Sequence, residues 1–182
     1  IFGRSGFGQR RPKDLESYYT LHFGPSRQIH GHLDYLSLTY WERSRNIIVD
    51  AGHPGSARGP LRSYAQSRLA HNVLTVRGKE HDAKAASRLV DYQIEESCSA
   101  FDSEDTAWEG LSWNRSACFV DCGPFVVSDS LEPTRTMEYA EQRWNVAPEF
   151  EYVGSQYETV RFRSVVDGTK LVFIRYGIDG SR

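Results

Sequence analysis

Apolar residues recur along this chain in short alternating or continuous runs rather than in long stripes at helical spacing. Alternate side chains of a strand point to the same face, so runs of this kind predict β-strands. Glycine, proline and other turn residues separate them, as is typical of antiparallel sheets. The runs cover residues 36–41, 46–52, 71–78, 88–97, 117–123, 124–131, 138–148, 157–168 and 169–177.

One segment, residues 58–69, has the pattern of a short helix, and Pro60 near its start is compatible with a first helical turn. No internal repeat, low-complexity segment or Pro/Ser-rich linker divides the chain. We therefore predict a single all-β domain over residues 1–182, an antiparallel β-sandwich with at most one or two short helices. The first fifteen residues are rich in Gly and Arg, and FGRSGFG within them is compatible with an edge strand.

Composition narrows the classes of protein without choosing one. The 182 residues suit one domain, and the net charge of −2 gives no electrostatic footprint for nucleic acid or a membrane surface. The three cysteines are too few for a disulfide framework, although one disulfide plus a free thiol is allowed. The sequence shows no apolar run of membrane-spanning length, and from its N-terminal pattern we expect no signal peptide within these residues. Since it begins with Ile1, we expect a fragment of a longer polypeptide.

The histidines are unevenly distributed, because all six lie in the first 81 residues. The segment QIHGHLDYLS, residues 28–37, places His30, His32 and Asp34 at alternate positions, so an extended chain would put them on one face. Such a pair can bind a metal, and it can equally hydrogen-bond on a half-exposed strand. The HxHxDH pattern of metallo-β-lactamase-like hydrolases fails because residue 35 is Tyr, and the chain lacks the strand and helix alternation of an amidohydrolase barrel.

Two later segments give the pair a context. NIIVDAG is an apolar run that leads to Asp50 and a turn glycine, and RLAHNVLTV leads through His71 into another strand. HGHLDYLSLTYWERSRNIIVDAGHPG followed by YAQSRLAHNVLTVRGKEHD resembles the C-terminal region of the heparinase II/III-like polysaccharide lyases, a family that includes alginate and oligo-alginate lyases. The segments SACFVDCGPFVVSDSLEP and EYAEQRWNVAPE also look like paired strands of that family.

The resemblance implies a two-part enzyme, with an N-terminal α/α toroid followed by a β-sandwich and with an acidic polysaccharide or oligosaccharide bound between them. This chain would supply the sandwich alone, so we expect the isolated chain to be inactive. In metal-containing members, zinc is held by the residues that match His32, Asp50 and His71 here. The residue that matches His30 faces the cleft and takes part in substrate contact or acid/base catalysis. The reaction is β-elimination at a uronic acid.

The same resemblance suggests three substrate-binding residues, Tyr64, Arg68 and Asn72. Packing for Tyr64, an ion pair for Arg68 and a turn hydrogen bond for Asn72 are the alternatives. Asn145 stands where relatives often have histidine. His53 and His81 lie beside turn residues, and we expect both to be solvated.

The four tryptophans are candidate platforms for sugar rings, although we favour packing for most of them. The competing function is a non-catalytic carbohydrate-binding β-sandwich with structural or metal-binding histidines. We expect a periplasmic or secreted location. Neither the identity of the polysaccharide nor the oligomeric state follows from the sequence.

Overall fold

The computed structural model describes residues 1–9, 11–24, 31–55, 58–77, 79, 81–82, 84–133 and 139–175. His30 therefore lies outside the described residues. The described residues form these strands: β1 (Phe2–Arg4), β2 (Ser17–Leu21), β3 (Leu38–Glu42), β4 (Arg45–Ile48), β5 (Leu74–Val76), β6 (Ser87–Ile94), β7 (Cys98–Trp108), β8 (Leu111–Val120), β9 (Phe125–Pro133), β10 (Ala140–Gln142), β11 (Phe150–Gln156), β12 (Thr159–Ser164) and β13 (Lys170–Ile174).

Helical structure is scarce, as the sequence pattern predicts. One helix, α1 (Pro60–Ala65), is followed by a 3₁₀ turn at Arg68–Ala70, and another 3₁₀ turn covers Lys13–Leu15. Pro60 is in the first turn of α1, where its missing N–H costs no hydrogen bond. None of the helices in the described ranges is long and apolar enough to cross a membrane. The prediction of an all-β fold is confirmed.

The chain divides into two compact units, Ile1–Asn145 and Val146–Arg182. The first contains two four-stranded antiparallel sheets, in the orders β1-β2-β3-β4 and β6-β7-β8-β9, together with the pair β10-β5. The second contains the antiparallel sheet β11-β12-β13. The prediction of one domain over residues 1–182 stays a prediction.

Aromatic side chains join the inner faces of the two four-stranded sheets. Tyr19 of β2 lies 4.9 Å from Phe119 of β8 between ring centroids, and Tyr40 of β3 lies 5.0 Å from Phe125 of β9. Tyr19 and Tyr40 alternate along their strands with more exposed residues, as a half-buried strand requires. Gly3 belongs to this packing, because a Cβ atom there would come within 2.0 Å of the Tyr19 ring. The sheets thus pack face to face as a sandwich.

The hairpin between β3 and β4 turns in two residues. Arg43 and Ser44 have φ values of 50° and 61°, and Glu42 pairs with Arg45 across the turn. Two successive left-handed residues form a turn of the I′ type, whose twist matches that of the flanking strands. This geometry sets which residues of β3 and β4 face each other.

Candidate functional site

The residues of the HGH, D-x-G and AHN motifs meet beyond the ends of β3 and β4. Asp50 follows β4 by two residues, and His71 follows the 3₁₀ turn at Arg68–Ala70. The Nδ1 atom of His71 lies 2.6 Å from Oδ2 of Asp50. His32 approaches the same histidine, with 5.3 Å between the two ring centroids. Three segments that are far apart in the chain therefore bring His32, Asp50 and His71 together.

Asn72 explains why His71 stands beside Asp50. Its side-chain amide donates to the carbonyl oxygens of Leu38 and Val49, each at 2.8 Å, which lie at or next to ends of β3 and β4. Its Oδ1 accepts from the backbone N–H of Asn145 at 2.6 Å. Asn72 is fully buried, and these three bonds use both of its N–H donors and one of its two acceptor sites. Substrate contact by Asn72 stays a prediction, and the geometry favours a positioning role.

His71 itself is fully buried, and its Nε2 has no hydrogen-bond partner among the described residues. An unpaired ring nitrogen in the interior is costly unless a ligand or solvent reaches it. Asp50 remains 29 % exposed, so the cluster has one open side. In the tautomer whose Nδ1–H donates to Asp50, Nε2 carries a lone pair, which is compatible with a site that a cation completes.

The pKa values of His32 and Asp50 are both lowered, so the imidazole is favoured in its neutral form and the carboxylate in its ionised form. Burial lowers the pKa of His32, and the neighbouring His71 lowers it further, which favours a neutral imidazole. Burial acts to raise the pKa of Asp50, but hydrogen bonds from His71 and from the N–H of Gly52 outweigh it and the pKa is lowered. Neutral imidazole and ionised carboxylate are the forms that bind metal.

These residues fit zinc in kind, since two imidazoles and a carboxylate are common ligands of that ion. The three side chains are neighbours in the structure. Within the described part of the chain, however, no three His, Cys, Asp or Glu side chains lie close enough together to form a metal-binding group. The zinc site therefore stays a prediction. His53, which is exposed, stacks on His32 with 5.9 Å between ring centroids.

Asp34, the third polar member of HGHLD, contacts a different histidine. Its Oδ2 lies 3.0 Å from Nδ1 of His22, and this contact raises the pKa of His22. The leucine that precedes Asp34 is tied to the end of α1, because the N–H of Leu33 donates to the carbonyl of Gln66. Although His32 and Asp34 are at alternate positions of HGHLD, they contact different histidines: His32 lies beside His71 and Asp34 beside His22.

Arg68 and Tyr64, the other candidates for substrate contact, differ in exposure. Arg68 is 5 % exposed and donates to Asp105 at 3.2 Å and to the carbonyl of Leu74 at 3.0 Å. Tyr64 is 46 % exposed, and its hydroxyl lies 3.4 Å from the carbonyl of Leu69. Of the two, only Tyr64 presents a substantial surface to a ligand, and both roles stay predictions.

His81 corrects an expectation from the sequence. Its side chain is 3 % exposed rather than solvated, and it lies 3.3 Å from Oδ2 of Asp105, the carboxylate that also accepts from Arg68. The rings of Tyr35 and Trp108 enclose it at 5.3 and 5.2 Å between centroids. Turn residues beside a histidine do not reveal such packing, because the enclosing rings come from distant segments.

Arg115 is a residue of the site region that sequence reasoning missed. It is fully buried in β8, and its Nη1 donates to the carbonyl oxygens of Leu36 at 2.7 Å and Asn72 at 2.6 Å. Asp129 of β9 accepts from Nε at 2.7 Å and from Nη2 at 2.8 Å. One guanidinium therefore joins the loop after HGH to the AHN segment. β8 shows the usual alternation of inward and outward residues. The sequence feature that could have revealed Arg115 is a charged residue at one of the inward positions.

Comparison with known proteins agrees with the fold. The family described as heparinase II/III-like, C-terminal, matches residues 10–174. A mutant of the heparan sulfate lyase HepC from Pedobacter heparinus has a TM-score of 0.83 at 18 % identity, with 98 % of this chain and 28 % of that chain covered. A heparinase III gene product has a TM-score of 0.81 at 20 % identity, with coverage of 98 % and 27 %.

A further structure of heparinase III has a TM-score of 0.68 at 17 % identity, with 84 % of this chain and 25 % of that chain covered. At such identities the likeness shows the fold. No curated protein matches the sequence. The chain spans a little over a quarter of the length of the first two structures, HepC and the heparinase III gene product. The match over residues 10–174 shows that this chain belongs to the heparinase II/III-like C-terminal family.

Proposed function

We propose that this chain is the β-sandwich part of a polysaccharide lyase that cleaves a uronic-acid-containing polysaccharide by β-elimination. The observation that carries the proposal is the meeting of His32, Asp50 and His71 from three separate segments. The heparan sulfate lyase and heparinase III structures of the same fold support a glycosaminoglycan as the substrate. The rest of the active site would come from a helical domain outside this chain.

In β-elimination the proton at C5 of the uronate is removed, the bond from C4 to the leaving oxygen breaks, and a C4–C5 double bond forms. The electron pair of the broken bond goes to the leaving oxygen, which takes a proton from an acid. The step requires a base and stabilisation of the developing negative charge beside the carboxylate. His30, outside the described residues, is the candidate from this chain for acid/base work or substrate contact.

We further propose that His32, Asp50 and His71 hold zinc. Bound there, the ion would supply a fixed positive charge that organises the loops and polarises a nearby oxygen. The residues of the chain contribute orientation, because the amide of Asn72 holds its segment against the ends of β3 and β4. The unpaired, buried Nε2 of His71 supports the proposal.

The activity is tested on a longer form of the protein that includes the helical domain. We expect new ultraviolet absorbance from an unsaturated uronate when heparan sulfate, chondroitin, hyaluronan or alginate is the substrate, and none with the present chain alone. A His30→Ala variant of the longer form should lose most of the rate. Absence of the absorbance with all four substrates would contradict the lyase proposal and leave a carbohydrate-binding sandwich.

Zinc binding is tested on the chain itself. We expect elemental analysis of protein purified without a histidine tag to give close to one zinc per chain, and a His32→Ala variant to lose it. His53→Ala is the matched control, because His53 is an exposed imidazole that stacks on His32 and is not among the proposed ligands. A folded wild-type chain that takes up no zinc, or equal loss in both variants, would contradict the proposed ligand set.

A further inference from the structure

A row of four side chains crosses the outer face of the β1-β2-β3-β4 sheet, away from the histidine cluster. In strand register, Arg4 pairs with Tyr18, Tyr18 with Trp41, and Trp41 with Asn46. Directly paired residues in antiparallel strands lie on the same face, so all four point the same way. Neighbouring strands are about 4.8 Å apart, which makes the row about 14 Å long.

Burial along the strands shows which face carries the row. Tyr19 and Tyr40 are buried in the sandwich, whereas their neighbours Tyr18 and Trp41 are only half-buried and Asn46 is exposed. The row is therefore on the face opposite the aromatic core.

The row lies in a groove of about 350 Å³. Its lining residues all belong to this sheet: the outward-facing Arg4, Tyr18, Thr39, Trp41 and Asn46, together with the buried Tyr40 and Ile48. Ligand sites combine apolar walls with a few convergent polar groups, and this groove has that composition. Two aromatic rings side by side, with a guanidinium at one end and an amide at the other, suit a flat ligand with hydroxyl groups at its rim.

Arg4 is held in place before any ligand arrives. Its guanidinium donates to Glu16 at 3.2 Å and to the carbonyl of Gly6 at 2.5 Å, and it stands 4.5 Å from the centroid of the Phe7 ring. The Arg4 side chain nevertheless keeps 39 % of its surface exposed. An arginine that is already ordered loses less entropy on binding, and its planar donors suit carboxylate and sulfate oxygens.

We propose that this row is a second carbohydrate-binding site, which takes a short acidic oligosaccharide. The C–H faces of pyranose rings would stack on Trp41 and Tyr18, since an aromatic face is electron-rich and attracts the weakly positive C–H hydrogens. Arg4 would contact the acidic group, and Asn46 the hydroxyls at the other end. The choice of an acidic sugar rests on the proposed function, and the stacking platform stands without it.

The row shares no residue with the histidine cluster, and the two are separated along the chain. Asn46 and Asp50 are four residues apart, a distance of about 13 Å in an extended strand. A polysaccharide held on the row would be retained near the protein without occupying the place where the bond is broken.

The test is binding of a heparan sulfate tetrasaccharide to the full chain, followed by calorimetry and by amide shifts in ¹⁵N spectra. We expect shifts at Thr39 and Asn46, and at least about a tenfold loss of affinity in Trp41→Ala, as removal of a stacking anchor produces. Asn46→Ala, an exposed position that is safe for folding, should weaken binding as well. Tyr92→Ala is the matched control, because Tyr92 is an exposed aromatic of β6 in another sheet.

Arg4→Gln should weaken the acidic tetrasaccharide and leave neutral cellotetraose unchanged, with Arg88→Gln as the control for loss of an ion-paired surface arginine. No binding, or binding that survives both Trp41→Ala and Asn46→Ala, would overturn the site. Equal binding of the neutral and acidic probes would overturn the assignment of an acidic ligand. Tetrasaccharide binding on the row in a protein without lyase activity would overturn the proposed function alone.

Discussion

Arg115 is fully buried, and its guanidinium donates hydrogen bonds to two backbone carbonyl oxygens and to one carboxylate. It bonds the carbonyl of Leu36, whose φ of 59° is uncommon for a non-glycine residue, and it pairs with Asp129 through two bonds. Strained backbone of this kind persists only where surrounding bonds hold it. Arg115 therefore stabilises the loop that carries His32 as well as the sheet in which it lies.

We expect Arg115→Met to lower the free energy of unfolding by about 3–5 kcal/mol, because the change leaves the Asp129 carboxylate, which is only 9 % exposed, without its cation. Arg88→Met is the control, since Arg88 pairs with Glu104 at a site where its own side chain is 74 % exposed. That variant should lose at most about 1 kcal/mol. Urea unfolding of both variants at one pH gives the comparison, and similar losses would contradict the role assigned to Arg115.

His22 supplies a prediction of pH dependence. Its hydrogen bond to Asp34 raises the pKa of His22, although burial opposes the change. Because the folded-state pKa is above the unfolded value, this contact stabilises the fold fully below about pH 6.5. The contribution is lost as the pH rises through the raised folded-state pKa.

In Asp34→Asn the pKa of His22 should fall toward its ordinary value, as followed by the NMR shift of the His22 ring proton. Asp91→Asn removes a carboxylate from β6 and should leave that titration unchanged. A His22 titration that is the same in the wild type and in Asp34→Asn would show that the contact does not form in solution.

At the residue scale, the sequence predicted the members of the histidine cluster but not what orients them. The HGH, D-x-G and AHN segments pointed to His32, Asp50 and His71, and these three side chains lie next to one another in the structure. Asn72 and Arg115 act through backbone carbonyls, and a carbonyl oxygen has the same sequence signature at every position. Their roles follow only from the way distant strands end.

At the scale of elements, β7 shows why strand prediction fails at polar inward positions. Ser103 and Asp105 of this strand are buried, because Ser103 donates to the carbonyl of Arg115 and Asp105 pairs with Arg68 and His81. Every residue of β7 from Asp102 to Thr106 is polar, so no hydrophobic alternation marks this part of the strand. β8 and β9 were predicted in part because their inward positions include apolar residues.

The pairing of β7 with β8 brings two cysteines together. Cys98 is opposite Val120 and Cys118 is opposite Ala100, so the cysteines are diagonal neighbours, with 3.6 Å between their Sγ atoms. Burial and the neighbouring Cys98 raise the pKa of the Cys118 thiol, which slows its attack on a disulfide. Proximity favours a cross-strand bond once an oxidant is present.

With oxidised glutathione, we expect Cys98 and Cys118 to form a disulfide, with the two thiols oxidised and two molecules of glutathione released. The midpoint of thermal unfolding should rise by several °C, since a bond worth about 2–4 kcal/mol shifts a domain of this size by that order. Cys122→Ser should leave both results intact, whereas Cys118→Ser should abolish them. Peptide mapping that finds Cys122 in the protein disulfide would contradict the pairing.

At the scale of the whole molecule, the two units differ in how much apolar surface they bury. β7 and β8 place Phe101, Trp113 and Phe119 inside, each at most 5 % exposed. In the second unit, Tyr152 and Val172 are 61 % and 49 % exposed. Protection of backbone amides from hydrogen exchange increases with the number of buried contacts. The sheet that contains β7 and β8 should therefore be more stable to local opening than the β11-β12-β13 sheet.

We expect amides of β12, the central strand of its sheet, to exchange at least about tenfold faster than those of β8 in the isolated chain. Both strands have hydrogen-bonded neighbours on each side, which makes them a matched pair. Exchange followed by mass spectrometry measures the difference. Equal protection would show that the two units open in one cooperative transition.

The fold class could be predicted from the whole sequence, since short runs between turn residues exclude a helical protein. The remaining groups of the proposed lyase site could not, because this chain spans little more than a quarter of the solved structures it resembles. The row proposed to bind carbohydrate could not be predicted either, since strand register alone makes neighbours of its residues, Arg4, Tyr18, Trp41 and Asn46. Trp41 alone reads as packing.

The turn at Arg43 and Ser44 offers a route to protein engineering. Both residues adopt left-handed backbone that Asn and Gly accept at lower cost, so Asn-Gly at these positions would relieve strain built into the natural hairpin. The change touches neither the proposed zinc ligands nor the groove residues. A more robust version of this chain could thus serve as a scaffold on which weak sugar binding is measured at high temperature and long incubation.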